Sequence, residues 1–186
     1  MVKKKKDTLL DICSKYFICF MMYSIIGWCY EVFLEVVVYK WGFSNRGVLF
    51  GPYCPVYGFG ALTFIFVLHK LKEKKIKVWK INITPLLVFL GIIFIATTME
   101  LVTSYILEVF RGEWLWDYTT YSYNFQGRIA LNPSVRFGLG GMVFMYLLQP
   151  LFDKICSKLG KKKVKKVAFV LGFIILCDAI YTFIIK

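Results

Sequence analysis

A chain of 186 residues that is 59% apolar and 19% aromatic, with a mean hydropathy of +0.64, is too apolar for an ordinary soluble domain of that length. Its net charge of +13 does not read as nucleic-acid binding, because the basic residues form short clusters between long apolar runs rather than one stripe interleaved with aromatics. Six scattered cysteines (Cys13, Cys19, Cys29, Cys54, Cys156 and Cys177) form no C-x-x-C pair, so neither disulfide nor metal chemistry is expected, and no cofactor.

In chain order, Met1 to Lys6 and the apolar run behind it resemble a secretory signal. No small-residue cleavage site follows, and the run carries Glu31 and Glu35, so the segment reads as an uncleaved anchor. A bilayer core of about 30 Å needs about 20 apolar helical residues. Five such runs are predicted, at 16–39, 54–71, 85–108, 134–151 and 167–185. The second and fourth enter through Gly and Pro, in GVLFGPYCPVYGFGAL and GRIALNPSVRFGLGG, which predicts broken or re-entrant outer ends. The fold class is therefore an all-α, multi-pass transmembrane helical bundle of about five spans, forming one integral membrane domain over residues 1–186.

Lys and Arg in short loops favour the cytoplasmic side. The amino-terminal segment holds five lysines, Lys70 to Lys80 six and Lys154 to Lys166 seven, against only Lys40, Arg46, Arg111, Arg128, Arg136 and Lys186 elsewhere. This predicts a cell-membrane protein with its amino terminus in the cytoplasm, its carboxyl terminus outside and no domain beyond the bilayer.

All four arginines fall on the predicted outer side, where the intramembrane acids Glu31, Glu35, Glu100, Glu108 and Asp178 also lie. Arginine's planar fork suits partly buried pairs with carboxylates or phosphates. An acid at mid-membrane costs roughly 2.5 to 3.5 kcal/mol, so these acids are expected to face one another, a cation or a polar cavity. Ser24, Gly27, Glu31 and Glu35 share one face of the first span, and Thr97, Glu100, Ser104 and Glu108 one face of the third. Asp178 and Thr182 repeat the i, i+4 relation on the fifth. Together they predict a polar vestibule open to the outside, walled by these three helices, with Glu31, Glu35, Glu100, Asp178, Arg46, Arg128 and Arg136 as candidate substrate-binding residues. The alternative is a closed network in which the arginines only neutralise the acids.

The loop before the fourth span packs Trp114, Trp116, Tyr118, Tyr121, Tyr123 and Phe125 close together, an aromatic density expected at the headgroup level. Asp117 and Asn124 complete the candidate site above the vestibule. Aligning residue 47 with residue 127 matches Gly47 with Gly127, Gly58 with Gly138, Gly60 with Gly140 and Phe64 with Phe144. Each half reads as an acidic helix, an outer Arg-Gly loop and a Gly-rich return helix, which suggests a two-helix parallel repeat plus one extra helix.

The strings GWCYEVFLE, NRGVLFGPYCPVYGFGAL, TMELVTSYILE, WDY and NFQGRIALNPS, spread between Tyr23 and Met142, resemble the bacterial membrane proteins described as putative ABC-transporter type IV, the CmpB-like family. The resemblance implies a permease-like subunit and no catalytic residues. The chain lacks G-x-x-x-x-G-K-[ST], so an ATPase would be a separate cytoplasmic subunit. With only five spans a homo-oligomer is expected. There is also no G-x-S-x-G or H-E-x-x-H, and the one histidine, His69, sits at the cytoplasmic end of the second span. A membrane-embedded enzyme acting on a lipid or cell-envelope precursor, or an accessory scaffold, therefore ranks behind the permease reading.

Overall fold

The computed structural model describes residues 7–114 and 116–185. Of the predicted features, Lys3 to Lys6, Lys186 and the side chain of Arg111 lie outside the described residues.

Thr8 decides where the first helix starts. Its Oγ1 accepts the Asp11 backbone N–H at 3.2 Å, and the Asp11 carboxylate accepts the Thr8 N–H at 2.8 Å. This reciprocal cap also puts an acid on the positive end of the helix dipole. Helix α1 thus runs Leu9–Phe33, earlier than hydropathy alone predicts, and continues as a π-helical turn at Leu34–Val38. Helix α2 (Pro55–Glu73) follows an irregular segment, and the hairpin β1 (Lys77–Val78) and β2 (Ile81–Asn82) leads into α3 (Thr84–Arg111). Pro85 sits in the first turn of α3, where its missing N–H costs nothing, and Gly112 at φ +79° ends the helix. A second hairpin, β3 (Asn124–Phe125) and β4 (Ile129–Ala130), precedes α4 (Leu131–Val143), a π-helical turn at Phe144–Leu148, α5 (Gln149–Ile180) and a last π-helical turn at Tyr181–Ile185.

The described chain is thus all-α apart from two short hairpins. Three helical stretches are long and apolar enough to cross a membrane: Leu9–Val38, Thr84–Phe110 and Leu131–Ile185. The predicted second span is the helix α2, whose 19 residues are long enough, but it closes on His69, Lys70, Lys72 and Glu73 and is not among the three.

The fourth and fifth predicted spans fall in one run of helical residues, and the expected lysine-rich loop between them is helical on both sides of Gly160. That glycine has φ 75° and ψ 155°, a conformation open essentially to glycine alone. The partners along α1 show what it does. Before it, Gln149 lies against Tyr23 and Asp153 against Lys15; after it, Lys161 pairs with Asp7, Lys165 with Asp11, and Gly172 lies beside Phe17. Contacts that run down α1 and then back up it require the chain to reverse at Gly160. Lysine's good helix propensity lets the arms grow to the corner, and the three Lys–Asp pairs hold both arms to α1.

The chain divides into two compact units, Met1–Leu62 with Gln149–Lys186, and Thr63–Leu148. In the first, Ile18 packs with Cys156, Val164 and Ala168, while Phe20 and Met21 pack with Leu49 and Tyr53. Tyr23 is fully buried and donates its hydroxyl to Gln149 Oε1 at 2.8 Å. In the second, Phe64, Leu68, Val88, Ile92 and Met145 form the core.

Small residues let the helices approach closely, as membrane packing requires. A Cβ on Gly58 would lie 2.5 Å from the Phe20 ring and from Ser24 Oγ of α1, and one on Gly138 would lie 2.6 Å from the Phe89 ring of α3. These two glycines are partners in the sequence alignment of the halves, as are Gly47 and Gly127, which both have positive φ.

Gly60, by contrast, has nothing within 4 Å of a built Cβ. Gly58→Leu should therefore lower the apparent Tm in detergent by roughly 3–10 °C, as overpacking of about 1–3 kcal/mol does in a chain of this size, whereas Gly60→Ala should leave it unchanged within a degree or two. Equal melting of the two variants would mean that α2 does not pack on α1 at Gly58.

Candidate functional site

In the first unit the acids of α1 and α5 meet three kinds of donor. Glu35, only 6% exposed, is held by the fork of Arg46, with Nε 3.0 Å from Oε2 and Nη2 2.9 Å from Oε1. Ser44 adds its hydroxyl at 2.7 Å and its N–H at 3.3 Å. Glu31, one turn earlier on α1, accepts instead from the Tyr57 hydroxyl of α2. Asp178 on α5 accepts the N–H groups of Phe50 at 2.9 Å and Gly51 at 2.8 Å, the Thr182 hydroxyl at 3.0 Å and the Tyr53 hydroxyl. Burial, reinforced by the Asp178 carboxylate, holds the Tyr53 phenol well above its ordinary range, so it stays protonated and donates.

The second unit repeats the scheme with different elements. Arg128, also 6% exposed, gives Nη2 to Glu108 Oε2 at 2.6 Å, with Ser104 Oγ 3.4 Å from Nη1. Its guanidinium carbon lies 4.2 Å from the Tyr105 ring centroid and 4.0 Å from that of Trp114. Such stacking uses the flat face of arginine, which lysine lacks. Glu100, two turns earlier on α3, accepts the Tyr118 hydroxyl at 2.7 Å through Oε1, while its Oε2 is buried without a partner among the described residues. The Arg128 carbonyl accepts from Trp116 Nε1 at 2.7 Å. Of the aromatic run, Trp114, Trp116 and Tyr118 are thus turned towards polar partners, and Tyr123 and Phe125 are exposed.

The remaining predicted residues have other work. Asp117 accepts the N–H of Thr119 at 2.8 Å and its hydroxyl at 3.0 Å. Asn124 donates to the Tyr121 carbonyl at 2.8 Å and accepts the Gly127 N–H at 3.0 Å. Both side chains are occupied in shaping the turn that presents Arg128. Arg136 is exposed and makes no ion pair among the described residues. No group of His, Cys, Asp or Glu among the described residues is arranged to hold a metal.

Sequence reasoning paired acids with arginines and missed the phenols. Tyr53, Tyr57 and Tyr118 donate to Asp178, Glu31 and Glu100, and none of these three acids has an ion pair among the described residues. The only hint lay in the spacing of YCPVY, which puts two tyrosines just before and just inside α2.

Arg128→Lys should lower the apparent Tm by several degrees, since lysine can neither stack on both rings nor reach both Ser104 and Glu108. Glu108→Gln should do the same by leaving a buried guanidinium unpaired. The double variant Glu108→Gln/Arg128→Gln should melt higher than the sum of the two single losses, with a coupling of about 1–3 kcal/mol, because it leaves no orphan charge. Strict additivity in thermal melts would dissolve the pair.

Compared with known proteins, the family model described as Putative ABC-transporter type IV matches residues 18–183. No curated protein and no solved structure matches the chain.

Proposed function

We propose, since this chain belongs to the putative ABC-transporter type IV family, that it is a permease-like membrane subunit whose outer half offers carboxyl groups to a cationic or zwitterionic solute. The observation that carries the reading is Glu100. Its Oε1 is taken by a neutral phenol, its Oε2 is buried with no partner among the described residues, and it sits on a helix long and apolar enough to cross the bilayer. An open acceptor at membrane depth is costly unless it is used, and an ammonium, guanidinium or proton would satisfy it. Glu31 and Asp178, likewise held by neutral donors, extend the same chemistry. Arg46 and Arg128 keep Glu35 and Glu108 in place, and Arg136, exposed and without an ion pair among the described residues, can meet an anionic group of the solute.

In this reading the chain is one membrane domain of five spans, with α2 as the second and the arms on either side of Gly160 ending the fourth and beginning the fifth. The two halves descend from a two-helix repeat, each carrying one Glu–Arg pair and one Tyr–Glu pair. A separate ATPase subunit docks on the lysine-rich cytoplasmic segments, and the subunit works as a homo-oligomer.

The site is tested by thermal shift in nanodiscs against a panel of cationic, zwitterionic and anionic solutes. A cationic or zwitterionic compound should raise the wild-type Tm by several degrees, and Glu100→Gln should abolish the effect. If no compound shifts the wild type and Glu100→Gln melts earlier, the acids are structural and a scaffold replaces the permease. The topology is tested separately with carboxyl-terminal fusions. Alkaline phosphatase should be active there and green fluorescent protein dark; the opposite pattern would overturn the combination of five spans with a cytoplasmic amino terminus.

A further inference from the structure

We infer that the first unit holds one phospholipid with a zwitterionic, primary-ammonium headgroup in a groove between α1, the start of α2 and the last turns of α5. The groove has a volume of about 820 Å³ and is walled by apolar side chains, among them Phe20, Phe59, Leu176 and Phe183. That size suits a headgroup and part of the acyl chains, the rest of the lipid staying outside the groove. Phe59, Leu176 and Phe183 are more than half exposed, so the groove opens sideways to the surroundings, as an acyl chain entering from the bilayer needs.

Two charged side chains, Glu31 and Arg46, break this apolar wall. Each has spent only part of its capacity. Arg46 gives Nε and Nη2 to Glu35, and its Nη1 has no hydrogen bond to any described residue. Glu31 accepts from Tyr57 through Oε1, and its Oε2 accepts from no described residue. A guanidinium edge and a carboxylate oxygen on one otherwise apolar groove complement a phosphate beside an ammonium, with acyl chains attached. A purely anionic headgroup would satisfy Arg46 and be repelled by Glu31, while a quaternary ammonium would offer Glu31 no N–H to accept.

The inference rests on reading the Glu31–Arg46 region as a binding site, but it does not depend on transport. Arg46 is a poor probe, because its loss would strand the buried Glu35. Glu31→Gln keeps an oxygen for the Tyr57 hydroxyl and removes only the charge. Gly172→Leu puts a side chain into the groove from α5, where a Cβ meets nothing nearer than Phe17 at 3.8 Å.

The experiment is native mass spectrometry of the full chain released from bilayers of equal phosphatidylethanolamine, phosphatidylglycerol and phosphatidylcholine. Wild type should retain one phosphatidylethanolamine per chain. Glu31→Gln should lower the preference over phosphatidylcholine roughly tenfold, as loss of a charge-assisted hydrogen bond does, and Gly172→Leu should abolish retention of any lipid. Both variants should keep the wild-type circular dichroism spectrum.

Equal or stronger retention of phosphatidylglycerol, wild-type behaviour in both variants, or a lipid-free dimer seated on the groove would overturn the inference. A lost solute response with lipid retention intact would end the permease reading alone. A wild type that retains no phosphatidylethanolamine while its solute response is intact would end this one alone.

Discussion

Carboxyl groups carried on helices apolar enough to enter a bilayer are the constraint on which the rest of this structure depends. Water cannot satisfy them there, so every acid needs a donor brought by another part of the chain. The irregular segments serve this requirement. Residues 44–54 deliver Ser44, Arg46, the Phe50 and Gly51 N–H groups and Tyr53 to Glu35 and Asp178. Residues 114–128 deliver Trp114, Tyr118 and Arg128 to the acids of α3 and to each other. Short hairpins and Asx turns, the roles found for Asn124 and Asp117, are what give such loops the stiffness to hold a donor in place.

The donors fall into two classes with different consequences. An arginine fork on Glu35 or Glu108 closes a pair: charge is neutralised, and removing either partner strands the other. Glu31 and Glu100 each give one oxygen to a phenol, Asp178 gives both of its oxygens to neutral donors, and none of the three has an ion pair among the described residues. Buried ion pairs are a poor place to bind a solute, whereas a carboxyl group poised by neutral donors can take up a cation or a proton without first breaking a bond. The same separation appears in both units, with the pair carried by Glu35 and Arg46 in one and by Glu108 and Arg128 in the other, beside Glu31 and Glu100 respectively.

Towards the amino-terminal end of α1, beside the Gly160 corner of α5, the charges do different work. Lysine meets aspartate there in three pairs, Lys15–Asp153, Lys161–Asp7 and Lys165–Asp11. These groups are mostly half-exposed, where ion pairs contribute modestly, and their value is positional. They hold two helical arms to one side of α1 around a corner made by a single glycine.

Much of the helical architecture was legible in the sequence, because hydropathy is a local property that a long apolar helix carries along its own length. The helices at Leu9–Phe33, with its π-helical turn to Val38, Pro55–Glu73 and Thr84–Arg111 overlap the first three predicted runs, and Ser24, Gly27 and Ser104 are buried where the helical stripes put them. Composition also named the acids and placed arginine apart from lysine. It could not say which donor each acid would receive, since Tyr57 and Glu31, or Tyr118 and Glu100, meet only after helices and loops have packed, and nothing in their spacing measures that distance. Nor could it show that the lysine-rich loop is two helical arms with Gly160 between them, because lysine is equally at home in a helix and in a loop. The tertiary structure decided these points, since satisfying an acid away from water is a matter of which groups come within about 3 Å of it in space.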